Sequence, residues 1–426
     1  LHQQKVKAII VQKGSREHFL AARALYRRGM LGQLVVDWYA PSNPLLRWIL
    51  SCGSGRRRQA ALAVRADEIP DSLVQPNRIN GLLGRWKQSI SPSGRSPYER
   101  ALQADIAFTK TVARLNLPPH DVFFGYSYMS LEVLREEKRR GKLCVLDQID
   151  PGEKEHEIIR EEQSRWRQFV VHPDAVIPPL VYQRLHEEWR LADIIIVNSE
   201  WSRQCNIEKG APEGKLFVVP LAYEADSNPS ILADREPFLK APPSASDTVR
   251  ILWVGRVTLQ KGIQYLIEAA RLLKREAIEF LIAGETSISR KAMADAPDNV
   301  RWLGKVTHAQ KEELYDSATA FVLPTLSDGF ALTQLEALAH GLPVIATPNC
   351  GRVVEDGKTG FIVPPRDPQA LADAILKFAA GRNLSASMAP ACRIAVQAYS
   401  IENYGQRLVE IIDKQMATEG LQQRNS

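Results

Sequence analysis

The sequence predicts an α/β protein built from two doubly wound parallel sheets, and three observations carry that expectation. A chain of 426 residues is long for a single core, so two domains are the natural division. Short apolar runs that end in polar or glycine residues alternate with helical stretches, which is the pattern of a parallel sheet. The alternation comes as two series, separated by the Pro-, Ser- and Ala-rich stretch Asp226–Asp247.

In the first series, VKAIIVQKG reads as a buried strand ending at Gly14, and SREHFLAARALYRRG as a helix closed by Gly29. A glycine directly after a first strand lets the backbone turn tightly under the next helix, as in nucleotide-binding α/β domains. Further strands are expected at LVVDWYAP, Asp121–Ser127, Lys142–Asp150, Asp193–Ser202 and Phe217–Tyr223. Ligands of such sheets bind at the strand C-terminal ends, which puts Gly14, Gly125–Ser127 and Asp147–Asp150 on one rim. Residues 42–100 lack clear alternation and read as a partly helical, partly mobile basic insertion. The second series begins at Val249–Arg256. Ile278–Glu285, Val300–Val306, ATAFVLP, LPVIAT and TGFIVPP complete six short strands. The terminal YSIENY-to-helix segment presents Leu408, Ile411 and Ile412 on an apolar face that can pack back across the first domain.

Composition narrows the class of protein. Hydrophobic residues make up 45% and charged residues 24%, both ordinary for a globular protein. No apolar run approaches the ~18 residues of a membrane span, and LLRWIL (Leu45–Leu50) is short and carries an Arg. The N-terminus shows no long apolar signal-peptide core, and the missing initiator Met suggests trimmed numbering. Five scattered cysteines without CxxC spacing fit a reducing, cytoplasmic compartment, and argue against structural zinc or a disulfide framework.

The net charge of +6 is unevenly spread: residues 1–142 hold 24 Lys and Arg against 11 Asp and Glu, so the remainder is acidic. A basic front suits an anionic partner such as a phosphate-rich substrate, a membrane surface or nucleic acid. The cations are dispersed and no recognition module is visible, which disfavours nucleic acid. Trp48 and Trp86 among Arg and Lys suit peripheral contact with an anionic bilayer, on the cytoplasmic face.

Two loops of the second series carry the candidate chemistry. Gly255-Arg256-Val-Thr-Leu-Gln-Lys261-Gly262 places two cations and two glycines before a helix, which suits a pyrophosphate. About 70 residues on, Ala320–Thr347 reads strand, loop, helix, strand, with Asp328 in the loop and Glu336 eight residues later in the helix. Helical side chains lean toward the N-terminus, so Glu336 is expected to reach back toward the Asp328 loop. Alone, this is a turn Asp beside a solubilising Glu. Sharing a rim with the cationic loop makes it half of an anion and polyol site.

GR-x4-KG, VRWLGKV with its following loop, and SDGFALTQLEALAHGLPVIAT stand in an order and spacing that resembles the retaining glycosyltransferases of family 4, over Val249–Phe378. The likeness in the first series is looser, resting on the glycine after strand one and RLADIIIVNSEWSR. The resemblance implies the GT-B architecture: two Rossmann-like domains facing a central cleft. Residues 1–225 would form an acceptor-binding domain rejoined by helix 400–426, residues 226–247 the linker, and residues 248–399 the nucleotide-sugar domain.

By the same resemblance, Glu336 accepts hydrogen bonds from the ribose of a nucleotide-diphosphate sugar. Asp328 holds hydroxyls of the transferred sugar with the backbone amides of Gly329, Phe330, Ala331 and Leu332. Arg256 and Lys261, with Gly255, neutralise the departing diphosphate, Val306 borders the base, and Gly14 meets the donor from the first domain. The family's first Glu is replaced by the shorter Asp328, which leaves donor identity open. Its histidine near the sugar is replaced by Asp147 and Asp150, so Asp147 or His18 would stand there. No Asp-x-Asp or HExxH motif is present, and no cofactor or metal is expected. The acceptor would be a glycolipid, an oligo- or polysaccharide, or a small molecule. The alternatives are an epimerase of the same fold and a catalytically weak nucleotide-sugar-binding subunit.

Overall fold

The computed structural model describes residues 6–40, 64–76, 96–171, 176–224, 248–381 and 383–425. Trp48, Trp86, Cys52, the basic run Gly53–Arg58 and the stretch Asp226–Asp247 lie outside them.

Among the described residues, two all-parallel sheets organise the chain. The first has seven strands in the order β3-β2-β1-β4-β5-β6-β7: β1 Ala8–Gln12, β2 Leu31–Val36, β3 Val74–Pro76, β4 Val122–Tyr126, β5 Leu143–Gln148, β6 Ile194–Val197 and β7 Leu216–Val218. The second has six, in the order β10-β9-β8-β11-β12-β13: β8 Val249–Val254, β9 Ile278–Ala283, β10 Val300–Gly304, β11 Ala320–Leu323, β12 Val344–Ala346 and β13 Gly360–Ile362. Each sheet winds outward from its first strand and then reverses, between β1 and β4 in one and between β8 and β11 in the other. At such a reversal the loops diverge and leave a crevice at the strand C-terminal ends.

The central strands are apolar because helices cover both faces. β1, β4 and β5 are buried along their whole length, and Phe123, Phe124, Trp253, Phe280 and Phe321 are fully enclosed. Each such side chain contributes about 1.5–3 kcal/mol by leaving water. The final helix, Ile401–Asn425, returns to the first domain and lies on the helix Leu20–Arg27. Small residues permit this approach: a Cβ on Gly405 would already stand 3.2 Å from the Cβ of Ala24. Tyr404, Leu408 and Ile412 are buried there, and Arg27 pairs with Glu402 at 2.6 Å.

Three local expectations are corrected. The segment read as one helix from Ser15 begins as a tight turn, with Glu17, His18 and Phe19 all at positive φ, and the regular helix starts only at Leu20. The region 42–100 contains an unexpected edge strand, β3, which pairs with β2 after a short turn at Asp71–Leu73. Its end, read as part of the insertion, starts the helix Pro97–Val112, capped by a reciprocal Ser96–Glu99 pair.

Candidate active site

The Arg256 and Asp328 loops sit side by side because β8 and β11 are neighbours at the reversal. Gly262 makes the approach possible: its φ is +73°, and a Cβ there would lie 1.8 Å from the carbonyl oxygen of Pro324. The loops are then laced together. Leu326 N donates to Gln260 O at 2.9 Å, the Gln260 side-chain amide donates to Ser327 O at 3.0 Å, and Lys261 forms an ion pair with Asp328. Arg256 is exposed and makes no ion pair among the described residues. Asp328 is tethered through its own N–H to Asn349 O at 3.0 Å.

Glu336 points elsewhere than expected. Its carboxylate accepts from Lys311 Nζ at 2.8 Å and from the Tyr315 hydroxyl at 2.7 Å, both on the helix His308–Ser317. It is therefore fixed against the neighbouring helix rather than turned back to Asp328. Burial and the Glu336 charge push the Tyr315 hydroxyl well above its usual range, so it stays a hydrogen-bond donor. Lys311 and Tyr315 were not singled out in the sequence. Their i, i+4 spacing directly behind the Val306 loop was the available signal.

The remaining loop residues divide by role. Phe330 is buried, its ring 5.9 Å from that of Tyr399, and its carbonyl accepts from Gly351 N and the Gln334 side chain. Ala331 takes a left-handed φ of +64°, turning the chain into the helix Thr333–Ala339 with Leu332 as its N-cap. Gly329 presses against the first domain, where a Cβ would meet the Asn198 amide at 2.8 Å and Ile149 O at 3.0 Å. Gly255 sits at φ +155° beside Trp253, and Val306 is half-buried ahead of the capped start of the next helix.

The first domain supplies the opposite wall. At the β1/β4 reversal a crevice of about 390 Å³ is lined by Lys13, Gly14, Arg16, Asp37, Asp105, Ser127, Tyr128 and Met129. Gly14 N donates to Asp37 at 2.8 Å, and Lys13 pairs with Asp105 at 2.6 Å. Tyr128, at φ +71°, is held by Glu188, a buried carboxylate that accepts from the N–H groups of Tyr128, Ser130 and Leu131 at 2.7–3.0 Å.

Asp147, next to last in β5, is only 5% exposed and stands beside Tyr126 in register. Burial, and then the Glu17 charge, push its carboxyl well above the usual range. Glu17 rises to about 7 by burial, opposed by Arg16. Glu17 is thus the charged group felt most by Asp147. His18 stays exposed in the left-handed turn rather than on a helix face. Asp150 serves the chain locally, accepting from the Tyr128 hydroxyl at 2.9 Å and Gly152 N at 3.0 Å.

The domains meet along these loops. Trp201 Nε1 donates to Ser327 Oγ at 3.0 Å, Ser327 Oγ donates to Glu155 at 3.1 Å, and Ser202 Oγ donates to Gly329 O at 3.4 Å. A second seam centres on Glu162, fully buried, which accepts from Gln264 and Tyr265 at 2.9 Å and pairs with Arg366 at 2.7 Å. Glu17, Glu155 and Glu162 carry no signal in the sequence, since only tertiary folding brings each to its partners.

Two Rossmann-like domains, each with a reversal point and one carrying the cationic loop beside the Asp328 loop, define a two-domain α/β protein of the GT-B fold. Residues 248–380 match the family model described as Glycosyl transferases group 1. The amylovoran biosynthesis glycosyltransferase AmsK of Erwinia amylovora is 28% identical over 250 residues, 55% of this chain and 58% of AmsK. The chain thus spans little more than half the length of that relative. Among solved structures, Anabaena Alr3699/HepE in complex with UDP and glucose superposes with a TM-score of 0.59 at 16% identity, covering 96% of this chain and 100% of that one. TarM gives a TM-score of 0.60 at 13% identity, covering 96% and 99%.

Proposed function

We propose that this chain is a glycosyltransferase that moves a sugar from a nucleotide-diphosphate sugar to an acceptor, with retention at the anomeric carbon and without a metal. The observation that carries the reading is the pair of interlaced loops at the reversal point of the second sheet, one with Arg256 and Lys261 and the other with Asp328, followed by the helix that carries Glu336. Arg256 and Lys261 offer positive charge where a diphosphate gains negative charge as the glycosidic bond breaks, the place where electrostatic help is worth most. Glu336, braced by Lys311 and Tyr315, accepts from ribose hydroxyls. Asp328 and the backbone N–H groups of Gly329 to Leu332 hold the sugar, and Val306 borders the base.

The sugar passes through an oxocarbenium-like state, and the acceptor attacks the face the diphosphate leaves. A departing phosphate oxygen takes the acceptor's proton. The acceptor lies in the Lys13–Asp105 crevice of the first domain. AmsK, a glycosyltransferase named for amylovoran biosynthesis, is consistent with a role in glycan assembly, and HepE with UDP and glucose makes UDP-glucose the first donor to test. The basic surplus of residues 1–142 supports peripheral contact with the cytoplasmic face of a membrane. Among the described residues no helix is long and apolar enough to cross one.

A thermal-shift panel of uridine-, guanosine- and adenosine-diphosphate sugars tests the reading. A ligand that binds the folded chain raises its melting temperature with occupancy, so the true donor stands out from the panel. Equal melting temperatures with every nucleotide sugar at millimolar concentration would refute it.

A further inference from the structure

His340 follows Glu336 by four residues, at the end of the helix Thr333–Ala339, so both side chains leave one face of that helix toward the helix His308–Ser317. Each meets two residues there. Glu336 takes Lys311 and Tyr315, and His340 takes the next residue after each of them. Its Nδ1 lies 2.6 Å from Asp316 Oδ1 and its Nε2 3.1 Å from Glu312 Oε2. A carboxylate only accepts, so the ring donates from both nitrogens and its plane is fixed at two points. The face of the same ring stacks on Tyr315, with centroids 5.3 Å apart and planes 22° from parallel. Phe321 of β11 lies on the Tyr315 ring at 5.9 Å, so the tyrosine is set between the sheet and His340. Its hydroxyl is the one that donates to Glu336. The backbone of His340 is held apart from the ring: its N–H donates to Glu336 O at 3.3 Å, and its carbonyl accepts from Arg393 at 3.1 Å.

We propose that His340 is a positioning residue of the donor site, which clamps the helix His308–Ser317 to the helix Thr333–Ala339 and sets the Tyr315 ring so that its hydroxyl meets Glu336. The inference rests on the reading above of Glu336 as the ribose acceptor for its effect on ligand; the clamp itself rests on the contacts. Geometry, not ion-pair energy, is what the histidine supplies. Glu312 is 26% exposed and Asp316 69%, and pairs open to water in this way contribute little by charge alone. What they do is hold the imidazole plane, and the imidazole holds the tyrosine. Without the ring, Glu336 keeps Lys311, a flexible point charge, but loses the one donor of fixed direction, and its carboxylate turns more freely.

Amide hydrogen exchange on the ligand-free full chain reads the clamp. His340→Ala is expected to speed exchange across the helix His308–Ser317 by about 10-fold. His340→Arg, a planar cation able to donate to both carboxylates and to stack on Tyr315, is expected to restore most of the protection. Glu312→Ala combined with Asp316→Ala releases the ring without removing it, and gives a second route should His340→Ala fold poorly. Calorimetric titration with UDP, GDP and ADP, each against its dideoxy form lacking both ribose hydroxyls, reads the positioning. Wild type is expected to prefer one parent nucleotide over its dideoxy form by about 10-fold or more, because a site that bonds a hydroxyl rejects the analogue without it. His340→Ala is expected to cut that preference about 5-fold, Tyr315→Phe by a similar factor, and the double variant by no more than either, since both act through one hydrogen bond. Unchanged exchange in His340→Ala overturns the clamp. Faster exchange with the full ribose preference retained, or a double variant whose loss is the product of the two single losses, overturns the positioning role, since a merely structural histidine leaves ribose discrimination intact. Wild type that binds no parent nucleotide better than its dideoxy form overturns the ribose reading of Glu336 and with it the consequence for binding, while the exchange still decides the clamp.

Discussion

Lys261 and Asp328 are bonded to each other across the two loops that end β8 and β11. In the proposed reaction they serve different parts of one ligand, the diphosphate and the transferred sugar, so binding replaces their mutual contact by two contacts to the donor. Lys261→Ala is expected to lower turnover by 10²-fold or more, because the developing phosphate charge loses a placed cation. A steady-state assay that returns wild-type rates contradicts this.

Asp328 is one methylene shorter than the glutamate its motif resembles, which in the proposed site would set its carboxylate back from the sugar. Asp328→Glu lengthens that reach while keeping the charge beside Lys261. The expected result is a changed ranking of donors, by about 10-fold or more for sugars differing at a single hydroxyl, because a site that hydrogen-bonds a hydroxyl discriminates strongly. Competition between two nucleotide sugars reads this.

Tyr315 and Lys311 orient Glu336. Tyr315→Phe removes one 2.7 Å hydrogen bond and leaves the ring stacked on His340, so a modest loss is expected, about 1 kcal/mol or 5-fold in donor affinity. Glu336→Ala should cost at least 10²-fold in turnover. Equal effects from the two substitutions would mean Tyr315 does more than orient.

Most of the fold is legible in the sequence for a simple reason. Strands buried on both faces are continuous apolar runs, and the two series of such runs are far enough apart to be counted separately. What escapes is either short or non-local. β3 is three residues ending in Pro76, an edge strand with no alternation to detect. The Glu17–Phe19 turn reads as helix because its left-handed residues are not glycines, and tertiary packing overrides the local signal. Within the site, the residues of the two loops are legible because loop chemistry is local in sequence. The side chains that brace them are not. Lys311 meets Glu336 from another helix, Glu188 acts on a loop 58 residues away and Glu155 on one 172 residues away.

Glu188 is a case of that kind. Its carboxylate caps three backbone N–H groups that set Tyr128 on the crevice wall. Glu188→Ala leaves those donors buried without a partner and is expected to cost about 3 kcal/mol of stability, read by denaturant unfolding. A loss below about 0.5 kcal/mol would show the turn is held by other contacts.

Stability should also fall as pH rises from about 4.5 to about 8. Glu17 and Glu155 are raised to about 7 and about 8 in the folded chain, against 4.5 as ordinary carboxyls. Below pH 4.5 both states hold these protons. Above it the unfolded chain releases them first, and the stability tied to folded-state protonation disappears as pH passes the raised values. Glu17→Gln and Glu155→Gln should each flatten this slope in thermal melts. An unchanged slope in both would place the effect elsewhere.

The most direct test of the donor site is calorimetric titration of the full chain with UDP-glucose and the other nucleotide sugars, repeated for Lys261→Ala and Glu336→Ala. One nucleotide sugar is expected to bind wild type with a dissociation constant of about a millimolar or tighter, and each variant at least 10-fold more weakly. Binding that both variants leave unchanged, or no binding by any nucleotide sugar, would contradict the placement of the donor between the Arg256 and Asp328 loops.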